Sequence, residues 1–141
     1  NVAMILNEKG RDVVVHMAGT AITDVVRDLS QKGIGASVVT DEGDRVIGIV
    51  SERDIMRAIA DSGAGCLDQP VSTIMTRNVA TCTEHDTVTD IMTKMTEGRF
   101  RHMPVVNSER LVGIVSIGDV VKNHIAEVEM EANALRTYVA G

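Results

Sequence analysis

Ser51 with Asp54 and Ser116 with Asp119 are the side chains of this sequence best suited to hold a ligand. Each pair follows the same apolar tripeptide, Gly48-Ile49-Val50 in one place and Gly113-Ile114-Val115 in the other. That order predicts a buried strand ending in a serine, a helix that starts at once, and a carboxylate on its first turn. A helix start presents unpaired N–H groups and the positive end of the peptide dipoles, which suits a phosphate. The serine hydroxyl adds a donor, and the aspartate is suited to accept from both hydroxyls of a ribose. The plainer alternative is capping, in which serine and aspartate answer each other and stabilise the helix by about 0.5–2 kcal/mol. Capping would also tolerate Thr, Asn, Glu or Gln, whereas Ser-x-x-Asp stands in both places.

The elements that position these pairs come from an internal repeat. Shifted by 66 residues, Val13, Thr23, Asp24 and Val39 fall on Val79, Thr89, Asp90 and Val105. Ile22, Val25, Val26 and Leu29 fall on Val88, Ile91, Met92 and Met95, a helical apolar face repeated position for position. Beyond the turn Asp41–Asp44 the offset drops to 65, and Arg45, Gly48, Ser51 and Asp54 meet Arg110, Gly113, Ser116 and Asp119. The chain therefore divides into units at 11–62 and 77–126, preceded by an N-terminal helix over 1–10 and followed by a C-terminal helix extension over 127–141.

Each unit reads strand, helix, strand, strand, helix. In the first, Val13–His16 is a strand, Ile22–Lys32 a helix closed by Gly33, and Ala36–Thr40 and Arg45–Val50 a hairpin. The class is α/β (α+β): two small three-stranded sheets, each with two helices, packed sheet to sheet about a pseudo-two-fold axis. A three-stranded sheet is too small alone, so pairing supplies the missing burial. In the last helix, Val121, Ile125, Val128, Ala132, Leu135 and Val139 alternate spacings of four and three along one seam. That seam covers either the chain's own sheet or N-terminal helix, or a second subunit.

Composition narrows the function. The net charge of −6 argues against general nucleic-acid binding, which needs dense Lys and Arg, and Phe100 and Tyr138 are the only aromatics. No apolar run approaches the roughly 20 residues that span a bilayer. Cys66 and Cys82 sit in no ligand spacing and read as reduced thiols of a cytoplasmic protein. His16, His85 and His124 lack partners at metal-ligand spacing. There is no Walker loop, no G-x-G-x-x-G after a strand, no nucleophile elbow and no zinc helix. A binding module without catalysis is the reading that remains. Arg53, Arg99, Arg101 and His102 are the candidate phosphate partners.

The doubled unit, with its hairpin, Gly-Ile-Val strand and Ser-x-x-Asp helix start, resembles a CBS domain pair, or Bateman module. GRFRHMPVV followed by RLVGIVSIGDVVK and a Glu-rich terminal helix is similar to small stand-alone bacterial proteins that are little more than such a pair. The resemblance implies a sensor in signal transduction or energy sensing that holds AMP, ADP, ATP, NAD(H) or S-adenosylmethionine between the units, AMP foremost, and a homodimer shaped as a flat disc. It implies that Asp54 and Asp119 hold ribose hydroxyls, with Ser51 and Ser116 near ribose or phosphate. Adenine would lie against Ile34, Gly35 and Ala36 in one unit and Arg101, His102, Met103 and Pro104 in the other, with Thr20, Ile49, Ile114 and Gly118 nearby. The second unit keeps the strand motif as Pro104-Val105-Val106 and the first has Ser37-Val38-Val39, so the two sites need not bind equally. Rival expectations are an interaction module that has lost its ligand, and a relative of inosine monophosphate dehydrogenase. The chain is too short for that enzyme's barrel of about 250 residues.

Overall fold

The computed structural model describes residues 1–140. The order is α1 (Val2–Lys9), β1 (Val15–His16), α2 (Ile22–Lys32), β2 (Ala36–Thr40), β3 (Val46–Ser51) and α3 (Glu52–Ser62). Two 3-10 turns, Ala64–Asp68 and Val71–Thr73, lead on to α4 (Val88–Gly98), β4 (His102–Asn107), β5 (Arg110–Ser116) and α5 (Ile117–Ala140).

In the first half β1 runs parallel to β2 and β2 antiparallel to β3. The second half departs from the expected three strands: its sheet holds only β4 and β5, and the third strand shrinks to one parallel bridge, Cys82 to Val105. The bridge keeps two backbone bonds, Cys82 N–H to Pro104 O at 3.0 Å and Val106 N–H to Cys82 O at 2.8 Å. Both hairpins carry a register shift at one repeat position, between Val39 and Thr40 and between Val105 and Val106.

The helical faces read from periodicity are buried. Ile22, Val25 and Leu29 of α2 pack with Val39, Val50 and Ile55, while Val88, Ile91 and Met95 of α4 pack with Met103, Val105 and Val115. Gly33 closes α2 in the left-handed region at φ 63°, ψ 39°. The same position after α4 is Arg99, at φ 54°, ψ 41°. A side chain there costs about 1–2 kcal/mol, so the second half carries strain that the first avoids.

The segments leading into each half are exchanged. Helix α1 precedes the first unit yet buries Val2, Ile5 and Leu6 in the core of the second, while Val71 and Met75, which precede the second unit, are buried in the core of the first. The first unit grips this linker through backbone bonds, with Val71 N–H to Thr20 O at 2.7 Å and Thr76 N–H to Ile49 O at 2.8 Å. The first amides of α1 likewise reach Asp86 O and Glu84 O, both at 3.0 Å. Each seal closes over a glycine. A Cβ on Gly48 would lie 2.5 Å from Met75 Sδ, and one on Gly113 would lie 2.8 Å from Leu6 Cδ2.

On the faces away from these cores, Val38 is fully buried and Pro104 is buried, although neither belongs to a helix-side cluster. The two halves touch at their hairpin turns. There Arg45 bridges Arg110, and Leu111 N–H reaches Asp44 O at 3.0 Å.

Burial also separates the two thiols. Desolvation, reinforced by the nearby Asp86 carboxylate and only partly offset by Lys94, pushes Cys82 up to about 12. Because the thiolate is the nucleophile, Cys82 is expected to stay silent to a thiol reagent at pH 8, while half-buried Cys66 reacts. Titration should give one fast equivalent in the folded protein and a second only in denaturant; two fast equivalents would contradict the packing around Cys82.

Candidate functional site

Both serine–aspartate pairs form capping boxes. At α3, Asp54 N–H donates to Ser51 Oγ at 3.3 Å and Ser51 N–H returns to Asp54 Oδ2 at 2.9 Å. At α5 the matching distances are 3.1 Å and 2.9 Å. The first helical amides are taken as well, Glu52 N–H by Gly35 O at 3.0 Å and Ile117 N–H by Arg101 O at 2.8 Å. The helix starts thus offer a phosphate fewer free amides than their sequence implies. What remains is one carboxylate oxygen of each aspartate, Oδ1, which accepts no hydrogen bond among the described residues.

The two aspartates differ in their neighbours. Lys9 Nζ, from the exchanged α1, donates to Asp119 Oδ2 at 2.6 Å and to Ile114 O at 3.0 Å. Asp54 has no cationic partner among the described residues. Burial would raise the Asp119 carboxyl, but hydrogen bonds from Lys9 and Ser116 and the ammonium charge outweigh it and hold the group below its ordinary value. A depressed carboxyl stabilises the fold above its unfolded pKa of about 3.9 and loses that contribution as pH falls through the lower folded value. Lys9→Met is therefore expected to cost about 1 kcal/mol at pH 7, with the gap from wild type closing in urea titrations as pH falls below the ordinary carboxylate range. A gap independent of pH would assign Lys9 a packing role instead. Lys9 and Asp119 share a shallow opening of about 210 Å³ with Ile5, Glu8, Lys122 and Asn123.

A second cleft, of about 300 Å³, gathers the cations. Arg53 from α3 meets Thr96, Arg99, Phe100 and Arg101 from the end of α4, with Met95 and Ile117 at the wall. Three arginines drawn from both halves thus line one cleft in a chain of net charge −6. None of the three makes an ion pair among the described residues. His102, the fourth candidate phosphate partner, does not line this cleft. Its imidazole would lie 3.4 Å from a Cβ on Gly35, close to Glu52. Burial, then the Lys9 charge, lower it below the usual value against the pull of Glu52 and Asp119, so it is neutral at pH 7.

The remaining expected residues fall into two groups. Gly35 and His102 meet across the halves, and the Gly35 and Arg101 carbonyls sit over the two helix starts, so the backbones at 34–36 and 101–104 do border the interface. Gly118 lies open beside Ser116. Met103, however, is fully buried in the helix-side core, so its side chain lines no cleft, and Ile34 packs partly buried against the other core. Ala36 is buried as well, and Thr20 and Ile49 spend backbone groups on the linker. Reasoning from sequence missed Lys9, Phe100, Thr96, Met95 and Ile117. Phe100 and Thr96 flank Arg99 and could have been found by proximity; no local signal marks Lys9.

A family model of the CBS domain matches the chain twice, over residues 10–61 and 71–125. This is a tandem pair of CBS domains. Among curated relatives, the pair is 36% identical over 124 residues to the mitochondrial CBS-domain-containing protein CBSX3 of Arabidopsis thaliana, covering 85% of this chain and 60% of that protein. Among solved structures, the pair superposes on a CBS-domain-containing protein of Agrobacterium tumefaciens with TM-score 0.84 and 47% identity, over 87% of this chain and 98% of the other. A CBS domain protein of Pyrobaculum aerophilum complexed with AMP matches at TM-score 0.75 and 33% identity, over 84% and 88%. The CBS pair of a protein in complex with 5′-methylthioadenosine and S-adenosylmethionine matches at 0.79 and 27%, over 89% and 96%.

Proposed function

We propose that this CBS pair is a regulatory sensor that binds an adenine nucleotide where its halves meet and carries out no reaction of its own. The observation that carries the reading is the cleft of Arg53, Arg99 and Arg101, three arginines that make no ion pair among the described residues of an acidic chain. Guanidinium forks match phosphate oxygens, and the cleft is at the small end of the range for ligand sites. The Oδ1 atoms of Asp54 and Asp119 would accept from ribose hydroxyls, and the backbone at Gly35 and Arg101 would border the base. The AMP complex of the Pyrobaculum aerophilum protein supports the ligand class. The complex with S-adenosylmethionine and methylthioadenosine supports only the adenosyl part, because those ligands carry no phosphate.

AMP is the ligand this arrangement favours, with ADP, ATP and NAD(H) sharing its phosphate. A ligand that touches both halves shifts their arrangement by no more than its differential affinity for the two states. Thermal and urea unfolding with AMP, ADP, ATP, NAD, NADH and S-adenosylmethionine tests the reading. At about 100 times its dissociation constant the true ligand should stabilise the fold by about 2.7 kcal/mol. Phosphate-bearing members should outrank S-adenosylmethionine, and a flat response across the panel would sink the proposal.

A further inference from the structure

Beyond Val120, which is buried, α5 runs on for another five turns with an apolar seam left uncovered. Ile125 is 52% exposed, Val128 49% and Leu135 64%, so neither the chain's own sheet nor α1 takes up the seam. Its 4–3–4–3–4 spacing is the coiled-coil repeat, with Ile125, Ala132 and Val139 at the a positions and Val121, Val128 and Leu135 at d. A single helix gains nothing from such a strip in water, and a patch of this kind marks a docking surface.

The charges beside the seam identify the occupant. Flanking e positions are Lys122, Glu129 and Arg136, and flanking g positions include His124 and Glu131. In a parallel pair each g residue meets the e residue five places on in its partner. Glu131 then faces Arg136 of the second copy, and His124 faces Glu129, each twice by symmetry. In an antiparallel pair e meets e and g meets g. With the same apolar layers that sets Glu129 against Glu129, Glu131 against Glu131, and Lys122 against Arg136. All three contacts repel.

We propose that α5 pairs with α5 of a second copy as a parallel two-stranded coiled coil centred on Val128 and Ala132. This holds whether or not the protein binds a nucleotide.

Sedimentation of the full chain is expected to show a dimer at micromolar concentration. Leu135→Glu should weaken it at least about a hundredfold, since it sets two charges against each other in the seam. Leu135 is largely exposed in one chain, so the variant should keep the wild-type circular dichroism. Glu131→Arg and Arg136→Glu should each weaken the dimer about threefold to tenfold, and the double exchange should restore it. In a Cys66→Ser background, Leu135→Cys should oxidise to a disulfide-linked dimer, because like d positions face each other only in the parallel arrangement. A monomer at tens of micromolar, a dimer indifferent to Leu135→Glu, a double exchange that fails to restore it, or a Leu135→Cys dimer that does not cross-link would each overturn the proposal.

Discussion

Gly48→Val is expected to destabilise the protein by about 3 kcal/mol, even though valine is the better strand former. A Cβ at this position would sit 2.5 Å from Met75 Sδ and 2.9 Å from Met75 Cγ, with the Thr76 carbonyl at 3.2 Å. The thioether could swing aside, but the carbonyl is held by the Ile49 N–H at 3.0 Å and cannot. The linker would have to lift, uncovering Val71 and Met75 from the first core. Gly113→Val should act alike through Leu6, whose two methyl carbons would lie 2.8 and 2.9 Å away. Gly118→Ala is the control, because its Cβ would meet only Ser116 Oγ at 3.7 Å. There the gain in helix propensity should stabilise by up to about 1 kcal/mol. Urea midpoints decide the matter: equal effects at Gly48 and Gly118 would mean that the linker yields freely.

Arg99→Gly is expected to change stability and binding in opposite directions. Glycine adopts the left-handed backbone found here without penalty, so the fold should gain about 1 kcal/mol, as Gly33 already does at the matching place. The same change removes one of three guanidinium groups from the cleft. Hydrogen bonds to charged groups are worth about 1.5–3 kcal/mol, which corresponds to a loss in nucleotide affinity of about tenfold to a hundredfold. Calorimetric titration with AMP, beside urea unfolding without it, reads both numbers. A variant that gains stability and binds as tightly as wild type would show that Arg99 has no part in holding phosphate. Strained residues cluster where function demands them, and this position is where strain and charge coincide.

Much of the fold was legible because it is periodic. The repeated faces Ile22-Val25-Leu29 and Val88-Ile91-Met95 mark their helices wherever the rest of the chain goes, and Gly33 marks an end. The missing third strand of the second half was less legible. Thr81-Cys82-Thr83 looks no worse than Val15-His16 as a strand, and only the ladder in space shows a single bridge. The site was half legible. Serine–aspartate spacing is local and could be read, as could the Arg99–Arg101 cluster. That Lys9 would cross to Asp119, 110 positions along the chain, depends on which core α1 seals, and no local pattern records that. His102 was grouped with the arginines as a phosphate partner by its place in the run Arg99–His102, whereas burial, which lowers its affinity for a proton, belongs to the packed state.

Gly48 and Gly113 agreed between the repeats, yet their purpose emerged only with Met75 and Leu6 laid over them. The exchange they permit means that neither half can close its own interior. A cut in the Gly63–Gly65 turn would yield two fragments, each holding the other's missing lid, so the pieces should be unfolded apart and recover the native circular dichroism when mixed. Heritable change in one half is for the same reason answerable to the other: a substitution in the opening turn is felt first by the most distant sheet.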